Sequence, residues 1–128
     1  MESQKSAIGL DGNITAALGY PIGIIALILV FIEKDNKFVR FHAIQSLLWG
    51  VAIFVAMIAL LIVGMILGFG SAMISESLAW VVGSVFFLLY FVCAIAGLGG
   101  MIYAAVKAFG NDLFKLPVVG NFAEKWNN

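Results

Sequence analysis

The residue types able to do chemistry are few, and they gather in one place. Arg40-Phe41-His42-Ala43-Ile44-Gln45-Ser46 holds the single histidine of the chain, and on a helix His42 shares a face with Gln45 and Ser46, three and four residues on. A cation, an imidazole and a carboxamide so placed can fix one helix to another, bind a partner, or sit at a headgroup layer with Arg40 snorkelling to phosphate. Arg40, His42 and Gln45 are therefore the candidate polar contact or partner site. Catalysis needs more. One histidine and one cysteine, Cys93, do not compose a metal site. No acidic pair lies within an apolar run, the serines lack a hydrolase context, and no glycine-rich phosphate loop follows a strand. No catalytic, metal-binding or cofactor-binding residue is assigned, no cofactor is expected, and the chain reads as a non-enzyme.

The elements that must position these residues are set by hydropathy. Of the 128 residues, 63% are hydrophobic and 11% charged, well outside the range of soluble domains. A chain this short cannot bury so much apolar surface in its own core, so lipid is the solvent that suits it. Seven basic and seven acidic side chains balance, which argues against nucleic acid as a partner. Apolar runs cover about 14–32, 43–69 and 78–106, each near or above the ~20 residues that a helix needs to cross a bilayer. The expectation is all-α: one membrane domain over residues 1–128, a bundle of three transmembrane helices with a short interfacial helix in the tail, 111–128. In that tail Pro117 starts the helix, and Phe122 and Trp126, four apart, make an apolar face with Val118 or Val119.

Polar breaks separate the runs. Asp11-Gly12-Asn13 offers capping side chains to the first span, Ser77 can cap the third, and Gly110-Asn111-Asp112 ends it. Pro21, inside Gly19-Tyr20-Pro21-Ile22-Gly23, predicts a kink. Three spans place the termini on opposite sides. Lys5 then stands alone, against Lys34, Lys37, Arg40, Lys107, Lys115 and Lys125, so the positive-inside rule puts the N-terminus outside and the C-terminus in the cytoplasm.

Small residues at helical spacing mark packing faces, because lipid offers no hydrophobic drive between helices. Gly19 and Gly23, Gly64 and Gly68, and Gly97 and Gly100 are the packing glycines. Gly97-Leu98-Gly99-Gly100 allows two readings, a broken helix lining a transport site or tight packing of an intact one.

Four stretches occur in a recognisable order: Leu10-Asp11-Gly12-Asn13-Ile14, the run from Glu33 to Ser46, Tyr103-Ala104-Ala105-Val106-Lys107-Ala108, and the run from Leu116 to Ala123. Together they resemble the Tic-twenty-like family of small prokaryotic multi-pass membrane proteins, related to a chloroplast inner-envelope import component. The resemblance implies a subunit of a prokaryotic plasma membrane that assists polypeptide passage, and it brings no catalytic residue with it. The expected function is a structural or assembly subunit linked to protein translocation or insertion, working as a homo-oligomer or within a larger membrane complex, with the lipid bilayer as its medium. The alternative is a small homo-oligomeric channel or solute transporter. No small-molecule substrate is implied.

Overall fold

The computed structural model describes residues 4–127, and among them all regular structure is helical. In chain order the helices are α1 (Gly12–Leu18), α2 (Gly23–Ile32), α3 (Lys37–Ala72), α4 (Glu76–Phe109) and α5 (Val119–Trp126). Two of them, α3 and α4, are long and apolar enough to cross a membrane. Their 36 and 34 residues correspond to roughly 50 Å each at 1.5 Å per residue. Their apolar side chains are not tucked into a protein interior, and Phe54, Ile66, Phe69, Trp80 and Phe87 are each at least 65% exposed. A soluble core helix would hide such residues, so these two suit a lipid surround.

The first apolar run departs from a single kinked span. Pro21 lacks a backbone donor and its ring clashes with the preceding turn. Here the result is a complete break over residues 19–22, leaving one helix of 7 residues and another of 10. The chain doubles back, as a Cβ at Gly19 would touch Ala26 at 3.6 Å. Both ends of the run consequently lie together. Glu33 is buried and accepts from the Ala7 amide at 2.7 Å and the Asn36 amide at 3.2 Å. The Asn36 carboxamide donates to the Gln4 carbonyl at 2.9 Å and accepts from the Val39 amide at 3.2 Å, so it also caps α3. Two short helices thus stand where the expectation had one span over 14–32.

Several ends differ from expectation in instructive ways. Asp11 precedes α1 but makes no side-chain cap; its carboxylate pairs with Lys5 at 2.6 Å. The cap of α4 is Ser75, whose hydroxyl accepts from the Leu78 amide at 3.1 Å, rather than Ser77. At the other end of α4, Asn111 takes a left-handed φ of 61°. Asp112 and Asn111 then donate to the carbonyls of Lys107 and Ala108, a Schellman closure. The carbonyl of Phe109 accepts from the Asn13 side chain at 2.8 Å. α4 continues without interruption through Gly97–Gly100, so of the two readings only the intact helix remains.

The chain forms two compact units: one runs to Val51 and resumes at Leu98, and the other is Ala52–Gly97. The first holds the buried apolar side chains, and Ser71 is buried in the second. Ala16 and Tyr20 pack with Ala104, Ala108, Leu116 and Val119. Ala26 and Leu29 pack on Val39 and Ala43, and Phe41 and Ile44 pack on Ala123 of α5. A Cβ at Gly100 would stand 2.5 Å from the Trp49 ring. In the second unit, a Cβ at Gly64 would stand 3.1 Å from the Phe86 ring and one at Gly97 would stand 2.7 Å from Ile53. Gly23 and Gly68 have nothing within 4 Å.

Ahead of α5, Val118 has φ 64° and ψ −59°, and the Val119 amide reaches the Pro117 carbonyl at 2.7 Å. This is a γ-turn of the strained, positive-φ kind on a β-branched residue. Two stability changes of opposite sign follow. Gly100→Ala should lower the unfolding midpoint in detergent, costing about 1–3 kcal/mol, because the indole face has little room to yield. Val118→Gly should raise it by ~1 kcal/mol, since relief of the turn outweighs the entropy of glycine. Thermal unfolding of both variants against the parent checks the two signs.

Candidate functional site: a buried polar relay

The relay is built from three segments that are distant in sequence. The break between α1 and α2 supplies Tyr20, the first turns of α3 supply His42, Gln45 and Ser46, and the connection from α4 to α5 supplies backbone groups. Tyr20, His42, Gln45 and Ser46 are all buried. The Tyr20 hydroxyl lies 2.7 Å from His42 Nδ1, and His42 Nε2 lies 3.1 Å from the Asp112 carbonyl oxygen. Gln45 Nε2 donates to the Tyr20 hydroxyl at 2.6 Å and to the Phe114 carbonyl at 3.0 Å. Gln45 Oε1 accepts from the Leu116 amide at 2.8 Å, and the Ser46 hydroxyl donates to the Gly19 carbonyl at 2.8 Å.

The chemistry of these partners fixes the direction of every bond. A carbonyl only accepts, so His42 Nε2 must carry the proton it presents to Asp112. In a neutral imidazole Nδ1 is then an acceptor and takes the Tyr20 proton. The Leu116 amide can only donate, which sets the orientation of the Gln45 carboxamide and sends both of its N–H groups the other way. The result is a one-way chain from Gln45 through Tyr20 and His42 to the Asp112 carbonyl. Around it, Phe38, Phe41 and Tyr20 meet the imidazole edge-on, with ring centroids 4.6, 5.2 and 5.6 Å away.

Of the three residues singled out from the sequence, His42 and Gln45 meet and Arg40 does not join them. Arg40 is half-buried, one turn before Ile44. Tyr20 is the member that sequence reasoning missed. Its signal was a hydroxyl inside an apolar run, flanked by Gly19 and Pro21, where the backbone cannot satisfy itself. Gly120 is also required: a Cβ there would stand 2.5 Å from Lys115 Cβ and 2.9 Å from Gln45 Oε1.

With its donors and acceptors engaged, the relay works as a clamp. No group of three or more His, Cys, Asp or Glu able to hold a metal occurs among the described residues. A cavity of about 350 Å³ beside α1 and α4 is lined by apolar side chains, among them Pro21, Met101 and Phe109. Another of about 380 Å³ in the second unit, bordered by Leu61, Phe86 and Phe87, has Tyr90 as its polar side chain.

Helical in its regular structure among the described residues, with two long exposed apolar helices, the chain is a multi-pass membrane protein. Residues 6–123 match the magnetosome magnetite crystal formation protein family, and the chain belongs to it. It is 36% identical to a UPF0132 membrane protein of Methanocaldococcus jannaschii, over 96% of this chain and 94% of the relative. It is 37% identical to a UPF0132 membrane protein of Archaeoglobus fulgidus, over 88% of this chain and 92% of the relative. A second Methanocaldococcus jannaschii protein of that name is 29% identical, over 94% and 73% of the two chains. No solved structure matches. These matches overturn the resemblance to the Tic-twenty-like family. The link to polypeptide translocation rested on that resemblance, and the family match lends it no support.

Tyr20→Phe keeps the ring but leaves His42 Nδ1 and one Gln45 N–H unmet, an expected loss of about 1–3 kcal/mol. Gly120→Ala should weaken the same clamp by forcing Lys115 and Gln45 apart. In a double-mutant cycle the two losses should be clearly less than additive, because both act through Gln45; strict additivity would show that the relay is not one unit.

Proposed function

We propose that the protein is a structural component of a prokaryotic membrane, with α3 and α4 as its crossings and the relay-bearing unit as a compact platform. The observation that carries this reading is the relay itself: its buried polar groups are spent on holding α1–α2, α3 and the tail together. A transport path would need polar groups facing a cavity, whereas those of the relay are engaged with one another and with backbone. The family name concerns magnetite formation. Without a cluster of metal-ligating side chains among the described residues, the geometry gives no support to a mineral-binding role for this chain.

In this reading α3 and α4 cross the bilayer, while α1 and α2 form a re-entrant hairpin. Support comes from the Ala7–Glu33, Gln4–Asn36 and Asn13–Phe109 bonds, which gather the two ends of the hairpin and the end of α4. Both termini then share the basic, cytoplasmic side. α5 lies at the interface there, with Phe122 and Trp126 outward. Self-association within the bilayer is part of the proposal, supported by the open surface at Gly68.

Cysteine labelling tests the topology. In a Cys93→Ala background, a membrane-impermeant maleimide should label Met73→Cys in intact cells. Ile8→Cys and Asn121→Cys should react only after permeabilisation. Labelling of Ile8→Cys from outside would restore an external N-terminus and end the hairpin reading.

A further inference from the structure

The relay engages Tyr20, His42, Gln45 and Ser46, and separate bonds serve Glu33 and Asn36, but neither set involves the surface charge of the platform. Lys5 pairs with Asp11 at 2.6 Å, Lys107 with Asp112 at 3.4 Å, and Lys115 with Glu124. Lys37 Nζ donates to the Asn127 carbonyl at 2.9 Å. Lys34, Arg40 and Lys125 have no carboxylate within 4.0 Å among the described residues. Among the described residues, the carboxylates near them in the chain do not balance these cations: Glu33 is buried in its clasp, Glu124 is taken by Lys115, and Asp35 alone is exposed and unpaired.

Arg40 lies on α3 beside Phe41, which packs on α5, and Lys125 lies on α5 itself next to an exposed aromatic pair. α5 turns Val119, Gly120 and Ala123 inward and leaves Phe122 and Trp126 outward, 49% and 56% exposed with ring centroids 6.2 Å apart. Ala123 packs on Phe41 and Ile44 of α3. The Asn127 side chain donates to the Lys37 carbonyl at 2.8 Å, reciprocating the bond from Lys37 Nζ. Lys125 and Trp126 are thereby held beside the first turn of α3, and Arg40 is one turn further along it.

We propose that this face of α5 and the start of α3 binds anionic phospholipid headgroups, with Arg40 and Lys125 on the phosphates and Phe122 and Trp126 in the headgroup–acyl boundary. A soluble phosphate would satisfy the cations yet leave the aromatic pair in water, whereas a lipid covers both. The inference rests on the reading that this end of α3 and α4 lies at the membrane–water interface.

The test uses the full chain in micelles containing equal phosphatidylglycerol and phosphatidylcholine, with retained lipid counted by native mass spectrometry. The parent should retain phosphatidylglycerol in clear excess. Arg40→Gln and Lys125→Gln should each reduce that excess by about fivefold, and their combination should bring it near parity. Lys115→Gln, whose charge is already paired, should change it less than twofold. Parity in the parent, or an excess unchanged in the double variant, would overturn the proposal. So would displacement of the lipid by millimolar glycerol phosphate, which would assign the site to a soluble anion. A polarity-sensitive dye on Phe122→Cys in the Cys93→Ala background separates the two layers of argument. Blue-shifted emission without anionic preference overturns the lipid selectivity alone. Water-like emission overturns the interfacial placement beneath it.

Discussion

Everything in the platform depends on satisfying polar groups away from water. A buried hydroxyl, imidazole or carboxamide costs a few kcal/mol when left without a partner, and apolar surroundings offer no substitute solvent. Tyr20, His42 and Gln45 meet that demand jointly. Each donates to the next, and the ends of the chain rest on backbone carbonyls of the segment after α4. Because the acceptor at Asp112 and the donor at Leu116 are backbone groups, neither end can reverse. The arrangement therefore specifies one register between the hairpin, α3 and the tail, where apolar packing of Ala, Leu and Val alone would tolerate several.

The same constraint explains how the break at Pro21 survives. Interrupting a helix frees carbonyls and amides that lipid cannot solvate. Here the Gly19 carbonyl takes the Ser46 hydroxyl, while the Tyr20 and Ile22 amides close short turns onto Ala17 and Leu18. The break delivers the Tyr20 ring to His42, and the relay pins the break against α3. Each makes the other tolerable. A straight first span would have carried Tyr20 on an ordinary helix face and left His42 without its donor.

How much of this was legible in the sequence varies with the physics involved. Long apolar runs report themselves through composition, so helical character, membrane residence and the approximate limits of α3 and α4 could be read directly. Arg40, His42 and Gln45 stood out because polar side chains at the edge of an apolar run are conspicuous. The separation of Arg40 from the other two follows from helical spacing, since a residue two before His42 points across the helix from it, whereas the partners that His42 and Gln45 find depend on where the tail returns. Pro21 announced a disturbance, but whether a proline kinks or ends a helix is decided by partners far along the chain, here Ser46 and the Phe114–Leu116 segment. The caps show the same limit. Asp11 and Ser77 have the right chemistry, yet Lys5 draws the Asp11 carboxylate away and the cap of α4 falls two residues earlier, at Ser75. The family resemblance failed for another reason: short ordered stretches in membrane helices carry little information beside a match over residues 6–123.

The proposed hairpin would also resolve an awkwardness in the charge distribution. Three crossings leave Lys5 alone on the far side, an exception to be tolerated. Two crossings with a re-entrant pair would gather all seven Lys and Arg residues at one end, with Glu76, the first residue of α4, as the charge at the other. In the proposed topology the positive-inside rule would then hold without remainder. Length argues the same way. At 1.5 Å per residue, α1 and α2 reach roughly 10 and 15 Å, about a third and a half of the hydrocarbon core. Neither can cross alone, and a clasp that holds Gln4 and Ala7 to Asn36 and Glu33 does not let them add end to end. The bonds that close the hairpin and the charges that orient the protein thus make one argument, with Lys5 contributing to both through its pairing with Asp11.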